Sequence, residues 1–294
     1  MDAFTARPSP RRSRSDYDRS HMRVLHLDLG RQMRGGQYQV LHLMEALSAR
    51  GVAQRFLSPH GEPYAIRKLR RDADIVHAHD AKSHTVAALF ANAPLVVSRR
   101  VAFPIKDTWT SRWKYRQPVL YLAVSNYVAG ILMKAGVPAA KIEVIYDGVQ
   151  PMPLSTRTGP LIACASDDPM KGSDLIRQSG ANVVFTADLP EALKTARGLL
   201  YITREEGLGS AALLAMAAGV PVAASRVGGL PEVVQHERTG LLTDNDPQAI
   251  AAAAARLLTP EADGWAAQGR ELVQRRFLVS HMAEATLSAY RRML

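Results

Sequence analysis

The sequence predicts an α/β protein of two Rossmann-like, parallel-sheet domains with helices on both faces, and three observations carry that prediction. Short apolar runs of strand length alternate with stretches of helical length from residue 22 onward. A glycine-rich strand–turn–helix fills residues 203–232, reading TREEGLGSAALLAMAAGVPVAASRVGGLPE. The chain has 294 residues, enough for two separately cored domains.

Composition narrows the partners. A hydrophobic fraction of 47% fits a soluble globular protein, and no apolar run reaches the length that crosses a bilayer. The lone cysteine, Cys164, cannot close an internal disulfide; it suits a reducing cytosol and serves as a small strand hydrophobe. Net charge is +10 and lopsided: residues 1–150 hold 23 Lys/Arg against 12 Asp/Glu, the remainder 14 against 15. A basic half can meet nucleic acid, anionic headgroups or an anionic substrate. Nucleic acid is set aside, because no zinc-finger spacing, aromatic-rich RNA motif or basic heptad helix is present. A membrane-surface or lipid-linked acceptor fits better.

Residues 1–21 are charged, Pro/Ser-rich and without apolar periodicity, so they read as an extension outside the fold rather than a secretory signal. Residues 22–29 form the first strand. Arg34-Gly35-Gly36-Gln37 then makes a turn, and Val40, Leu41, Leu43, Met44 and Leu47 give a helical stripe ending near Gly51. The alternation continues through 53–58, 63–71, 74–79, 82–91, 94–98, 120–124, 126–136 and 141–145. His77 and His79 end one strand and point the same way, but with no cysteine nearby and no third ligand in the pattern, no metal is expected. Arg99 and Arg100 end another strand and suit an anionic ligand. Residues 101–118 read as a long loop whose Lys106, Trp109, Arg112, Trp113, Lys114, Tyr115 and Arg116 fit acceptor or membrane contact. The polar, Pro-rich stretch 151–159 sets the boundary between a first domain, 22–150, and a second, 151–276, followed by a terminal helix over 277–294.

The second domain opens with a strand at 161–165, a turn at 166–172 and a helix at 173–177, then a strand at 183–186 and a helix at 189–196. The strand 199–202 leads to Glu206-Gly207-Leu208-Gly209-Ser210. Gly207 and Gly209 let the backbone approach a ligand, while the N–H groups of Ser210 and Ala211 open a helix toward it. The helix dipole favours an anion there, most naturally a phosphate.

The whole stretch resembles the donor-site signature of retaining GT-B glycosyltransferases of family 4, EGFGxxxLEAMAxGxPVVAxxxGGxPE. The likeness covers most of the chain from residue 22, is strongest over 206–242 and thinnest over 173–199, where a strand–helix unit is missing. It implies a GT-B fold and gives Glu206 the sugar contact; the family's second glutamate, on the ribose, falls on Leu214. In the diphosphate-holding segment GRLxxxKG, Lys171 is kept and the arginine place is Ser166. The resemblance sets the Gly35-Gly36 loop opposite the donor phosphates and His79 beside the acceptor cleft. Arg100 stands where many members carry a catalytic-site histidine, and Asp147 takes the asparagine place of NGVD.

The implied catalytic residues are Glu206, Lys171, Arg100 and His79. The implied donor-binding residues are Gly35, Gly36, Ser166, Lys171, Gly207, Leu208, Gly209, Ser210, Ala211 and Leu214. The expected reaction moves a sugar from a nucleotide diphosphate-sugar to a cell-envelope glycan or lipid-linked acceptor, with retention and without cofactor or metal. It is expected in the cytoplasm, with peripheral contact to the inner face of the plasma membrane through the basic first half. Two rivals share the fold: a degenerate binding or scaffolding subunit, because Leu214 and Ser166 remove donor contacts, and a sugar-nucleotide epimerase, against which GGxPE and the terminal helix argue.

Overall fold

The computed structural model describes residues 22–59, 62 and 73–294; the extension expected over 1–21 and the element expected over 63–71 lie outside the described residues. Two parallel sheets organise the chain. The first contains β1 (Arg23–Leu27), β2 (Ala53–Leu57), β3 (Ile75–Ala78), β4 (Leu95–Arg99), β5 (Leu120–Ala123) and β6 (Ile142–Val144), in the order β2-β1-β3-β4-β5-β6. The second contains β7 (Leu161–Cys164), β8 (Val183–Thr186), β9 (Gly198–Tyr201), β10 (Val222–Ser225) and β11 (Leu241–Thr243), in the order β11-β10-β9-β7-β8. Strands β3, β9 and β10 are buried at every residue, as apolar strands covered on both faces must be.

Both sheets step outward once and then reverse, so each has a switch point, between β1 and β3 and between β7 and β9. Crevices open beyond the carboxyl ends of the strands at such points.

The helices are α1 (Gly35–Ser48), α2 (Ala81–Phe90), α3 (Trp109–Arg116), α4 (Asn126–Lys134), α5 (Ser173–Gln178), α6 (Leu189–Ala192), α7 (Ser210–Ala217), α8 (Leu230–Val233), α9 (Pro247–Arg256), α10 (Glu261–Arg276) and α11 (Val279–Arg291). Three differ from expectation. The loop read over 101–118 contains α3, which Thr108 caps by accepting from Ser111 N at 3.2 Å; none of its residues is buried, so it has no apolar stripe to signal it. Helix α6 ends at Ala192 rather than Ala196. Helix α10 was not anticipated, although acids in its first turn, arginines in its last and buried Ala262, Trp265, Ala266, Gly269, Leu272 and Val273 give it the usual markers.

Helix α11 packs on the first sheet, its Val279, Met282, Leu287 and Tyr290 sharing a core with Val24, Leu43, Ile75 and Val96. Two further contacts join the sheets near the cleft. Ser125 Oγ donates to Gly207 O at 2.7 Å. Glu232 on α8 accepts from Asn126 N and Tyr127 N at 2.9 Å each, from Asn126 Nδ2 at 2.7 Å and from Tyr146 OH at 3.1 Å. A carboxylate of the second domain thus caps the N-terminus of α4 in the first.

Candidate active site

The two switch points face a common cavity of about 480 Å³. Arg34, Gly35 and Gly36 reach it from the start of α1, Arg100 from the end of β4, Ser166 and Lys171 from the segment after β7, and Glu206 to Ala211 from the segment after β9, Gly207 excepted.

The backbone after β9 fixes Lys171. Arg204 N and Thr203 Oγ1 each donate to Met170 O at 2.8 Å, drawing the 169–171 turn against the end of β9. Gly172 then takes φ +63, and a Cβ there would stand 2.7 Å from Ile202 O, so glycine alone closes this turn. Lys171 Nζ consequently lies 3.1 Å from Glu206 Oε2. The same oxygen accepts from Tyr201 OH at 2.6 Å, and Glu206 Oε1 accepts from Gly207 N at 3.0 Å. Burial and the neighbouring Glu206 carboxylate push the Tyr201 hydroxyl well above its ordinary range, which keeps it a donor.

Helix α7 begins at Ser210 after Gly209, at φ +109, and no side chain caps it. Its leading amides therefore remain available to an anion in the cavity. A Cβ at Gly35 or Gly36 would meet nothing within 4 Å, so the absent side chains leave open space. The glycine pair lies inside the first turn of α1 rather than in a preceding loop.

Gly207 has a different task. A Cβ there would stand 2.1 Å from Arg100 O, so this glycine permits contact between the sheets and does not line the cavity.

Arg100 is held from two sides. Its Nε donates to Asp147 Oδ1 at 2.8 Å and its Nη1 lies 3.3 Å from His79 Nδ1. Burial raises the Asp147 carboxyl, with the Arg100 charge opposing the rise. His79 does not line the cavity; it is buried behind Arg100. Nor does Leu214, which packs half-buried against the core. Ser166 does line it, but its Oγ accepts from Asp168 N at 3.2 Å, a local turn bond and no substitute for a guanidinium.

The sequence reading found no third histidine beside His77 and His79; the structure supplies His26, from the neighbouring strand β1. Pairing of His26 with His77 in the sheet was the signal, since β1 and β3 flank the switch point. His26 Nδ1 lies 2.9 Å from His79 Nε2, a hydrogen-bond distance below the roughly 3.3 Å that separates ligands of a tetrahedral ion with bonds of about 2.0–2.1 Å. Both His77 nitrogens are engaged, by Ser98 Oγ at 2.8 Å and Tyr290 OH at 2.5 Å. Burial holds all three rings below the ordinary histidine range, His26 at about 4. The cluster is a hydrogen-bonded one.

Two parallel sheets facing a cleft at their switch points define a GT-B protein, and solved structures agree. The chain superposes on Anabaena HepE in complex with UDP and glucose with a TM-score of 0.77 at 16% identity, covering 92% of this chain and 100% of that one. Sucrose-phosphate synthase from Thermosynechococcus elongatus gives 0.78 at 17%, over 92% and 99%. Residues 55–151 match the family model of Glycosyltransferase Family 4 and residues 160–260 that of Glycosyl transferases group 1, so the chain belongs to the group 1, family 4 glycosyltransferases.

Among curated proteins it is 38% identical over 116 residues to alpha-maltose-1-phosphate synthase of Mycolicibacterium smegmatis, covering 36% of this chain and 30% of that protein. It is 49% identical over 71 residues to the GDP-mannose-dependent alpha-(1-6)-phosphatidylinositol monomannoside mannosyltransferase of Mycobacterium tuberculosis, covering 23% and 18%. The match thus spans less than a third of the length of either curated relative.

Proposed function

We propose that this chain transfers a hexose, with retention and without a metal ion, from a nucleotide diphosphate-sugar in the cleft to an acceptor on the first-sheet side. One observation carries the reading: Lys171 and Glu206, 3.1 Å apart, stand beside the uncapped start of α7 in a single cavity. As the bond from the anomeric carbon to the diphosphate breaks, negative charge grows on the leaving oxygen. Lys171, the amides of Ser210 and Ala211, and the start of α1 at Gly35 and Gly36 stabilise it. Glu206, fixed by three hydrogen bonds, orients the sugar. The acceptor oxygen bonds to the same face, and its proton passes to the departing diphosphate.

A UDP- or GDP-linked hexose is the donor class, in keeping with the nucleotides named for HepE and the mannosyltransferase. A cell-envelope glycan or lipid-linked acceptor is supported by the surface around α3. Trp109 there is 78% exposed and Phe103 55%, beside Arg112, Lys114 and Arg116. Among the described residues no helix is long and apolar enough to cross a membrane, so contact with an anionic membrane would be peripheral.

The test is titration with UDP and GDP, then hydrolysis and transfer assays with UDP-glucose and GDP-mannose on the native chain, Glu206→Ala and Lys171→Ala. Loss of the Lys171 contact costs roughly 1.5–3 kcal/mol, about 10- to 150-fold in donor binding; full activity in both variants refutes the assignment. Leu214 favours a second reading, a non-catalytic nucleotide-binding subunit, because no carboxylate occupies the ribose position. Nucleotide affinity without turnover selects it.

A further inference from the structure

A polar row runs diagonally across one face of the first sheet, stepping two residues toward the carboxyl ends from each member to the next: Gln54 on β2, His26 on β1, His79 after β3, Arg100 after β4 and Asp147 beyond β6. Hydrogen-bond chemistry fixes its direction from the Arg100 end. A guanidinium only donates, so His79 Nδ1, 3.3 Å from Arg100 Nη1, must be the bare nitrogen of a neutral ring. The His79 proton therefore sits on Nε2 and is donated to His26 Nδ1 at 2.9 Å. That leaves the His26 proton on Nε2.

At the far end, Gln54 Nε2 donates to Met44 O and Ser48 Oγ, each at 2.8 Å. Its Oε1 is the remaining acceptor, and that atom and His26 Nε2 are both buried without a hydrogen-bond partner. Gln54 lies on the same face of the neighbouring strand, and a proton on His26 Nε2 is compatible with that acceptor.

We propose that His79, backed by His26, is a positioning residue that holds the Arg100 guanidinium toward the donor cleft by accepting one of its protons. The inference rests on the transferase reading for its catalytic consequence, but not for its geometry. Without His79, the Nε bond to Asp147 alone would restrain the guanidinium, which could then turn about its Cζ–Nε bond. His77 contributes differently: bonded to Ser98 and Tyr290, it packs 3.9 Å, centroid to centroid, against His79 and walls the row from the α11 side.

Two measurements on the full chain separate this claim from the proposed activity. Long-range ¹H–¹⁵N spectra of histidine-labelled protein, assigned with His26→Gln and His79→Gln, must show both rings neutral with the proton on Nε2 near neutral pH. A proton on Nδ1 of either ring, or a cationic ring, overturns the proposal. Slow-rotation Nη resonances of Arg100 must be resolved in the native protein and collapse in His79→Leu. Persistence of those resonances in the variant overturns it as well.

With UDP-glucose or GDP-mannose as donor, His79→Leu must lower kcat roughly 10- to 100-fold while the donor KM moves less than about threefold. His79→Asn, whose Oδ1 replaces the accepting nitrogen, must recover most of the loss. Equal rates in the Leu and Asn variants contradict the mechanism. Absence of turnover in the native chain counts against the transferase reading alone, because both spectra are read without it.

Discussion

Removing the Glu232 side chain is the sharpest test of how the cleft is closed. Its two oxygens receive four hydrogen bonds from the other domain, two of them from the leading amides of α4. Asn126 and Tyr127 are exposed, so water would replace part of each bond, and about 0.5 kcal/mol apiece is the appropriate share of the usual range. Four such bonds give about 2 kcal/mol, a 30-fold change in the balance between joined and parted domains. Hydrogen exchange reads this directly. In Glu232→Ala the amides of Asn126 and Tyr127 should exchange roughly 10- to 30-fold faster, and peptides covering Glu206 to Gly209 should accelerate with them, because Ser125 would no longer be held against Gly207 O. Faster exchange confined to α4 would mean that Glu232 only caps a helix; unchanged exchange in both segments would refute the latch.

Gly207→Ala should lower thermal stability by more than about 1 kcal/mol, since the added methyl meets the Arg100 carbonyl; an unchanged Tm contradicts that contact. Acid should destabilise the fold through its buried histidines. Burial holds His26 at about 4 and His84 at about 3, whereas both titrate near 6.5 when unfolded. The unfolded chain therefore takes up protons that the native chain refuses: stability is complete above about pH 6.5 and falls toward pH 4 by roughly 1.4 kcal/mol per pH unit per histidine. Equal urea midpoints at about pH 7.5 and about pH 5 would disprove this. Trp109→Ala with Trp113→Ala should weaken partitioning to phosphatidylglycerol vesicles at least about threefold, and unchanged partitioning counts against membrane contact.

The architecture was legible because parallel strands must be apolar throughout and helices must not, so the alternation in the sequence is the alternation in space. Helix α3 was not, because none of its residues is fully buried and it has no hydrophobic period, only a threonine cap. The start of α7 could be placed from its Gly-x-Gly turn, while Glu206 and Lys171 were placed beside it through the resemblance to the family signature, and the structure brings the three together. Gly207 was given a ligand-facing task, whereas its missing side chain makes room for the Arg100 carbonyl of the other domain, a contact 107 residues away in sequence that no local pattern encodes. The histidine row was missed for the same reason: His26 and His79 are separated by 53 positions and meet only once the strand order is known.

The departures from the family signature are best understood as pairs. Arg100, where a histidine is usual, touches Asp147, where an asparagine is usual, at 2.8 Å. The cation and the anion offset each other, so the wall gains no net charge while a permanent donor stands in place of a titratable ring. On the donor side Ser166 removes a cation and Leu214 an anion, and the retained charges, Lys171 and Glu206, face each other at 3.1 Å. One charge of each sign is thus missing relative to the signature, and the retained pair keeps the cleft balanced. It follows that affinity should depend chiefly on the diphosphate: UDP and GDP should each bind far more tightly than uridine and guanosine. A nucleoside binding as well as its diphosphate would show that Lys171 and the tip of α7 do not hold the phosphates.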